Sequence, residues 1–396
     1  MTGPASTTNF TAKRFGIYIL GAGFSCPAGL PLANELWPEI CSRAEATTGR
    51  ANRHFSEDLQ DYIDYKRVCD GEVLLPENVQ FEDFLAYLDV EHYLGLRGSD
   101  TWSSDGNETQ VLVKTLIGEI LLERTPRKKN IPDLYLEFAR LLKPPDMVLT
   151  FNYDVLLERA LDAAGVAYRL FPSRYKDIDT YGATVDDSRE EIIVLKMHGS
   201  VDWFDRTFYD KLEENRLKAG FRLGHHHPVF SNIQELGVIP LTDGPRFPSD
   251  PLQHIYRVTN AVKLYKNDTL FLAPPVLLNP SPMKLVYSSI FQDFWNGLGQ
   301  VGTLNFGMTI IGFSMPAQDE YLRQVIYRLV TNYQGRYWED DSLKHRKTPL
   351  VMIDLRKTKK SQCDLLDRFR FIDSSKTIIH WDGWNETALA TLKKYA

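Results

Sequence analysis

Apolar side chains recur in two rhythms along the 396-residue chain. Short apolar runs, each closed by a glycine or a polar turn, predict strands at Phe15–Leu20, Met147–Phe151, Ile192–Met197, Thr309–Gly312, Leu350–Leu355 and Lys376–His380. Between them the spacing changes to i, i+3, i+4 and i+7, which predicts helices over Glu82–Leu96, Val111–Arg124 and Leu134–Leu142. Further helices are expected from Leu32, after the Gly29-Leu30-Pro31 break, and over Asp154–Ala164, Asp319–Leu329 and Glu386–Tyr395. Residues 35–145 thus read as mostly helical, with a Ser/Asp/Gly-rich loop at 98–107. The stretch from about 205 to 268 shows neither rhythm, is polar and carries Pro and His, and is expected as an irregular insertion.

Strands alternating with helices predict an α/β fold, a mainly parallel sheet covered on both faces. Right-handed crossovers then place the loops after the strands along one rim, where open α/β sheets bind ligands. The unusual loops of this chain follow predicted strands, so one site at that rim is expected.

Composition adds bounds. With 43% hydrophobic and 25% charged residues, the chain has the make-up of an ordinary globular protein. A net charge of −6 speaks against a general nucleic-acid binder, which needs a concentrated Lys/Arg surface. The basic stretch 343–360 is read first as a solvated face. Cys26, Cys41, Cys69 and Cys363 are scattered without a Cys-x-x-Cys pair, so neither a zinc ribbon nor a disulfide framework is expected. The run His225-His226-His227 is poorly spaced for one metal ion, and no metal is expected. No apolar run reaches the roughly 20 residues that span a bilayer, and the N-terminal residues lack a secretory apolar stretch, so a reducing, cytoplasmic setting is expected.

Four strand ends carry candidate chemistry. Gly21-Ala22-Gly23-Phe24-Ser25 follows the first strand; its glycines permit a tight turn and close approach of free N–H groups to a pyrophosphate. A plain strand-to-helix turn explains the same residues. Cys26 stands where the usual G-x-G-x-x-G fingerprint has its third glycine, so this is not the ordinary dehydrogenase motif. In Thr150-Phe151-Asn152-Tyr153-Asp154, the Asn152 amide offers one acceptor and two donors to a ribose hydroxyl or a water. Asp154 either accepts from a carboxamide or caps the next helix. In Lys196-Met197-His198-Gly199-Ser200-Val201-Asp202-Trp203, His198 stands at a strand end and can act as a general base near neutrality. Gly312-Phe313-Ser314-Met315-Pro316, with Asp319 beyond it, forms either a floor under a nucleotide or a helix start capped by Ser314. Asp354, at the end of another strand, is placed for a ribose hydroxyl.

Taken in order, these motifs resemble the sirtuin-like NADase family, especially its bacterial anti-phage branch, over roughly residues 15–205 and 270–355. The resemblance implies one Rossmann-like, NAD-binding domain over 1–396, with the helical insertion at about 35–145 and the irregular one at about 205–268. It implies that NAD+ is the substrate, cleaved to nicotinamide and ADP-ribose. Gly21, Ala22, Gly23 and Ser25 would bind the dinucleotide, and Gly312 and Ser314 would line its adenosine side. Asp154 and Asn152 would organise the nicotinamide ribose and carboxamide, with Asn152 and His198 catalytic. Sirtuin deacylases usually carry a four-cysteine zinc module, which these cysteines cannot build, and Leu32-Ala33-Asn34 replaces their usual Asp-Phe-Arg. Hydrolysis is therefore expected over protein deacylation. A quiet NAD+- or ADP-ribose-binding scaffold is the other reading. Control by homo-oligomerisation, or by a partner such as a HerA-like ATPase or an Argonaute-like protein, is what the family makes plausible.

Overall fold

The computed structural model describes residues 14–47, 50–96, 106–221, 224, 226–266, 274–278, 291–316, 319–338 and 347–395. Its centre is a seven-stranded sheet formed by β1 (Gly16–Leu20), β2 (Met147–Thr150), β3 (Tyr168–Arg169), β6 (Ile192–Lys196), β10 (Gly307–Ile311), β11 (Leu350–Ile353) and β12 (Thr377–His380). The order is β12-β11-β10-β1-β2-β6-β3, and every neighbouring pair is parallel. Strands buried on both faces read as continuous apolar runs. Thus Ile17–Leu20, Met308–Ile311 and Leu350–Ile353 are almost all fully buried.

The chain runs from β1 to β2 and on to β6 on one side, then returns to place β10 on the other side of β1. That reversal is a topological switch point, and the crevice beyond the strand ends there is where such sheets bind ligands. The sheet matches the expected α/β, Rossmann-like arrangement; six of its strands fall within about two residues of their predicted bounds, and the two-residue edge strand β3 was not expected.

Helices Ala33–Ala46, Arg50–Tyr65, Phe81–Leu94, Glu108–Arg124 and Asp133–Leu141 occupy most of the stretch between β1 and β2, as the periodicity predicts. Trp37, Phe55, Tyr62 and Phe84 meet in its core in tilted and edge-on ring contacts. Of the predicted 98–107 loop, residues 98–105 lie outside the described residues, and Asn107 caps helix Glu108–Arg124 through the Gln110 amide.

The 205–268 segment is more regular than expected. It contains helix Thr207–Lys218, and its strands β8 (Val238–Pro240) and β9 (Ile255–Val258) join β7 (Trp203–Asp205) in an antiparallel sheet. The strands are three or four residues long, too short for alternation to register. A hairpin of β4 (Tyr175–Asp179) and β5 (Gly182–Val185) escaped because its residues are half-buried or exposed and no apolar run marks it. His227 is structural: its Nδ1 accepts from the Val229 and Phe230 N–H groups. His225 lies outside the described residues, as do 343–346 of the basic stretch. Phe291 and Phe294 are buried against Trp203.

Lys347 departs from the solvated-face reading. Its ammonium is buried, donating to the carbonyls of Gly302 (3.2 Å) and Tyr333 (3.0 Å), and burial holds its pKa down, to about 8. Between about 8 and the ordinary 10.5 the unfolded chain binds the extra proton, so this residue's contribution to stability improves as pH rises through that window. Below it, the folded state bears the full cost of a buried cation. Any stability advantage of Lys347→Met over wild type, followed by thermal unfolding, should therefore shrink as pH goes from 7 to 10.

Candidate functional site

Two glycine turns meet at the switch point. Gly21 follows β1 and Gly312 follows β10. The Gly21 N–H donates to Ile311 O and the Gly23 N–H to Gly312 O, both at 3.0 Å. A Cβ on Gly21 would stand 2.5 Å from Gly312 O, and one on Gly312 would stand 2.3 Å from the Gly23 carbonyl carbon. Gly312 also has φ +59°, where a side chain is strained. These glycines are demanded first by backbone-on-backbone packing, and the N–H groups of Gly21 and Gly23 are engaged within the protein. Gly312→Ala should destabilise by about 1–3 kcal/mol from backbone strain alone. It should exceed Gly29→Ala, where φ is +89° but open space receives the methyl. Urea midpoints of the two variants check this ordering.

Asn152, two residues past β2, reaches back across this junction. Its Nδ2 donates to Gly21 O (2.9 Å) and to Ser25 Oγ (3.1 Å). Because Gly21 O can only accept, the amide orientation is set: both donors face protein, and Oδ1 is the group left to meet a ligand. The expectation of two further donors for a ribose is corrected accordingly.

Asp154 is buried, and its Oδ1 accepts from the Leu156 N–H at 2.9 Å, at the first residue of helix Leu156–Ala164. Asp154 thus ties down the first helical N–H from one residue before the N-cap position, Val155, and its second carboxylate oxygen remains. Its backbone carbonyl accepts from Lys196 Nζ, which pairs with Glu158 Oε1 at 2.7 Å. Both side chains are fully buried, at 0% and 1% exposure. The Val201 N–H donates to Tyr153 O (3.0 Å). Together these contacts join the loop after β2 to the loop after β6.

His198 is held in that second loop, nearly buried. Its ring stands edge-on to Phe151, centroids 5.1 Å apart, and Phe151 in turn stacks on Phe313 at 4.7 Å. Its Nε2 lies 3.4 Å from Oδ2 of Asp319, a fully buried carboxylate. Burial, and then the negative charge of the same carboxylate, push the Tyr321 phenol far up. The Tyr153 phenol is also raised, by burial and then by Glu82 and Asp319; its O–H donates to Leu278 O.

Ser314 is not a helix cap. The helix starts at Glu320 with Asp319 before it, and residues 313–316 form a loop in which Met315 has φ +50°. The Ser314 carbonyl accepts from Arg368.

One cavity of about 500 Å3 lies over these loops, and Asn152, His198, Gly21, Ala22, Gly23, Ser25, Asp154, Gly312 and Ser314 all line it. It continues across the ends of β11 and β12, where Asp354, Arg356 and Trp384 form its far wall. Arg356 donates to Asp354 at 2.8 Å, yet burial keeps that carboxyl above its usual range. Sequence reasoning missed the opposite wall, contributed by Leu30–Leu36 and by Gln80, Phe81 and Glu82. Leu32-Ala33-Asn34 stood out in the sequence only as a departure from the sirtuin pattern, and Gln80, Phe81 and Glu82 only as a helix start. Asp319 stood in the last glycine motif without a role; its pairing with His198 needs the fold. Cys26 lines the cavity as well, but burial and Glu35 raise its thiol, which disfavours a nucleophilic thiolate. Chemically, the site offers an amide oxygen, a carboxylate-paired imidazole and a glycine floor. Among the described residues, no group of three or more His, Cys, Asp or Glu could hold a metal ion.

A family model described as a SIR2-like domain matches residues 146–217, the stretch that carries Asn152, Asp154 and His198. That match marks this segment as sirtuin-like. No curated protein matches the sequence. Among solved structures, one described as "The Structural basis of Sirtuin Substrate Affinity" aligns at 12% identity and TM-score 0.33, over 97% of this chain and 95% of that chain.

Proposed function

We propose that this chain is an NAD+ glycohydrolase, which splits NAD+ into nicotinamide and ADP-ribose. The observation that carries the proposal is the convergence of Asn152 and His198, distant in sequence, on one cavity at the switch point of a parallel sheet. The SIR2-like match over both residues supports an NAD+-related activity.

In this reading the dinucleotide crosses the glycine junction, with its adenosine end toward Ser314 and Asp354. Its nicotinamide ribose lies beside Asn152 and His198. Nicotinamide leaves from a cationic pyridinium, so the scissile bond needs little push; the protein has to hold the ribose and place a water. Asn152 Oδ1 accepts from that water or from a ribose hydroxyl, Asp154 holds the carboxamide, and His198 takes up the proton as the new C–O bond forms. The narrow aromatic wall of Phe151 and Phe313 keeps bulk water from the reacting carbon. Unrestrained hydrolysis would drain a cell of NAD+, so the activity is proposed to be gated by self-assembly or a second protein, as for an effector of anti-phage defence.

The test is incubation of the purified protein with NAD+ over a range of protein concentrations, with products separated by chromatography. Equal amounts of nicotinamide and ADP-ribose are expected. Saturable NAD+ binding with no product at any concentration would favour the scaffold reading instead.

A further inference from the structure

We infer that Asp319 is the positioning residue of the site: its carboxylate holds the His198 ring and meets the charge that the imidazole gains during turnover. The inference rests on the glycohydrolase reading for what the pair does, and on geometry alone for the pair itself.

Asp319 occupies the position before helix Glu320–Gly335, where an aspartate ordinarily caps the first turn. Here its side chain makes no capping hydrogen bond. The carboxylate instead lies 3.4 Å from His198 Nε2, with the Tyr321 phenol close enough to feel its charge. It is fully buried, and a carboxylate out of water is costly unless its charge is met. An imidazole gaining a proton meets it. The groups that act on this cluster are Asp319, the phenols of Tyr153 and Tyr321, and Glu82 and Asp89 on helix Phe81–Leu94; with both phenols neutral, the charges are carboxylates. All of them favour the imidazolium.

The balance of the step is simple. The bond from the ribose C1′ to the nicotinamide nitrogen breaks, its electron pair staying on nicotinamide. A water oxygen bonds C1′, and its proton passes to His198 and then to solvent. The cationic histidine exists only while that proton is held, so Asp319 stabilises the reacting state more than the resting one.

Two measurements test this separately from the hydrolytic reading. The first is the 15N spectrum of histidine-labelled wild-type protein, with His198 assigned by the signal lost in His198→Gln. Neutral His198 is expected as the Nε2–H tautomer, donating to Asp319; an Nδ1–H tautomer would overturn the inference even if Asp319→Asn failed to fold. The second compares wild type, Asp319→Asn and Asp319→Glu. In Asp319→Asn the His198 titration should fall by about one pH unit or more. The limb of the kcat–pH profile that reports the base should move with it, and kcat should drop at least about tenfold with KM little changed. Asp319→Glu should recover most of both. If neither the titration nor the pH limb moved, Asp319 would be structural. Wild-type protein with the expected tautomer but intact NAD+ would sink the hydrolytic reading and leave the pair standing.

Discussion

Asn152→Ala and His198→Ala should each lower nicotinamide release by about 10²-fold or more, the scale of positioned acid–base groups. The two losses have different origins. In the proposed reading His198→Ala removes the group that takes up the proton, and the aromatic pocket of Phe151 and Phe313 should stay in place around the space it leaves. Asn152→Ala removes Oδ1 together with the two hydrogen bonds that tie the loop after β2 to Gly21 and Ser25. Leaving those buried acceptors unmet costs about 1–3 kcal/mol, so this variant should also melt earlier. Asn152→Asp separates the effects. It keeps an oxygen for the ligand but sets another against Gly21 O, so the side chain should swing away and activity should fall as far as in the alanine variant. Retention of near-normal turnover by Asn152→Asp would show that orientation is not what residue 152 supplies. Initial rates, with circular dichroism to follow folding, decide the matter.

The second large effect lies beneath the site. Lys196→Met should destabilise the protein by about 3–5 kcal/mol, because it strands the buried Glu158 carboxylate without its cation. It also removes the donor to the Asp154 carbonyl, so the residues between Asn152 and Asp154 lose an anchor. Burial already holds Glu158 above the usual carboxylate range despite Lys196, and without the ammonium it should fold protonated. The double variant Lys196→Met, Glu158→Leu should recover most of the loss, since an apolar pair of similar volume avoids desolvation altogether. Urea denaturation of the two singles and the double completes the cycle. Additive losses would mean that the pair contributes nothing as a pair.

The parallel sheet was legible because its strands are buried on both faces, so Ile17–Leu20 and Leu350–Ile353 stand out as uninterrupted apolar runs. The rim was legible for a related reason. Gly21, Asn152, His198 and Gly312 each follow such a run directly, and parallel topology carries all of their loops to one edge. What the sequence concealed is whatever depends on partners distant along the chain. The Gly21 and Gly23 amides look free for an anion in the motif, but the fold spends them on Ile311 and Gly312. Asp319 reads in the sequence only as the start of a helix, and in the fold it faces His198. Lys347 sits in a basic stretch that reads as solvated, and is buried against Tyr333. Short antiparallel strands such as Val238–Pro240 carry too few residues to show a period, and their pairing with β9 was invisible.

We propose that the Asn152 amide and the His198 imidazole, which line one cavity at the rim of the parallel sheet, flank the nicotinamide ribose of one bound dinucleotide. A crystal structure of His198→Ala soaked with NAD+ tests it most directly. The account predicts intact NAD+ lying over Gly21–Gly23 and Gly312, its nicotinamide ribose within hydrogen-bond reach of Asn152 Oδ1 and its adenosine toward Asp354. Density for the dinucleotide in another part of the molecule, or in this cavity with the adenosine against Asn152, would contradict it.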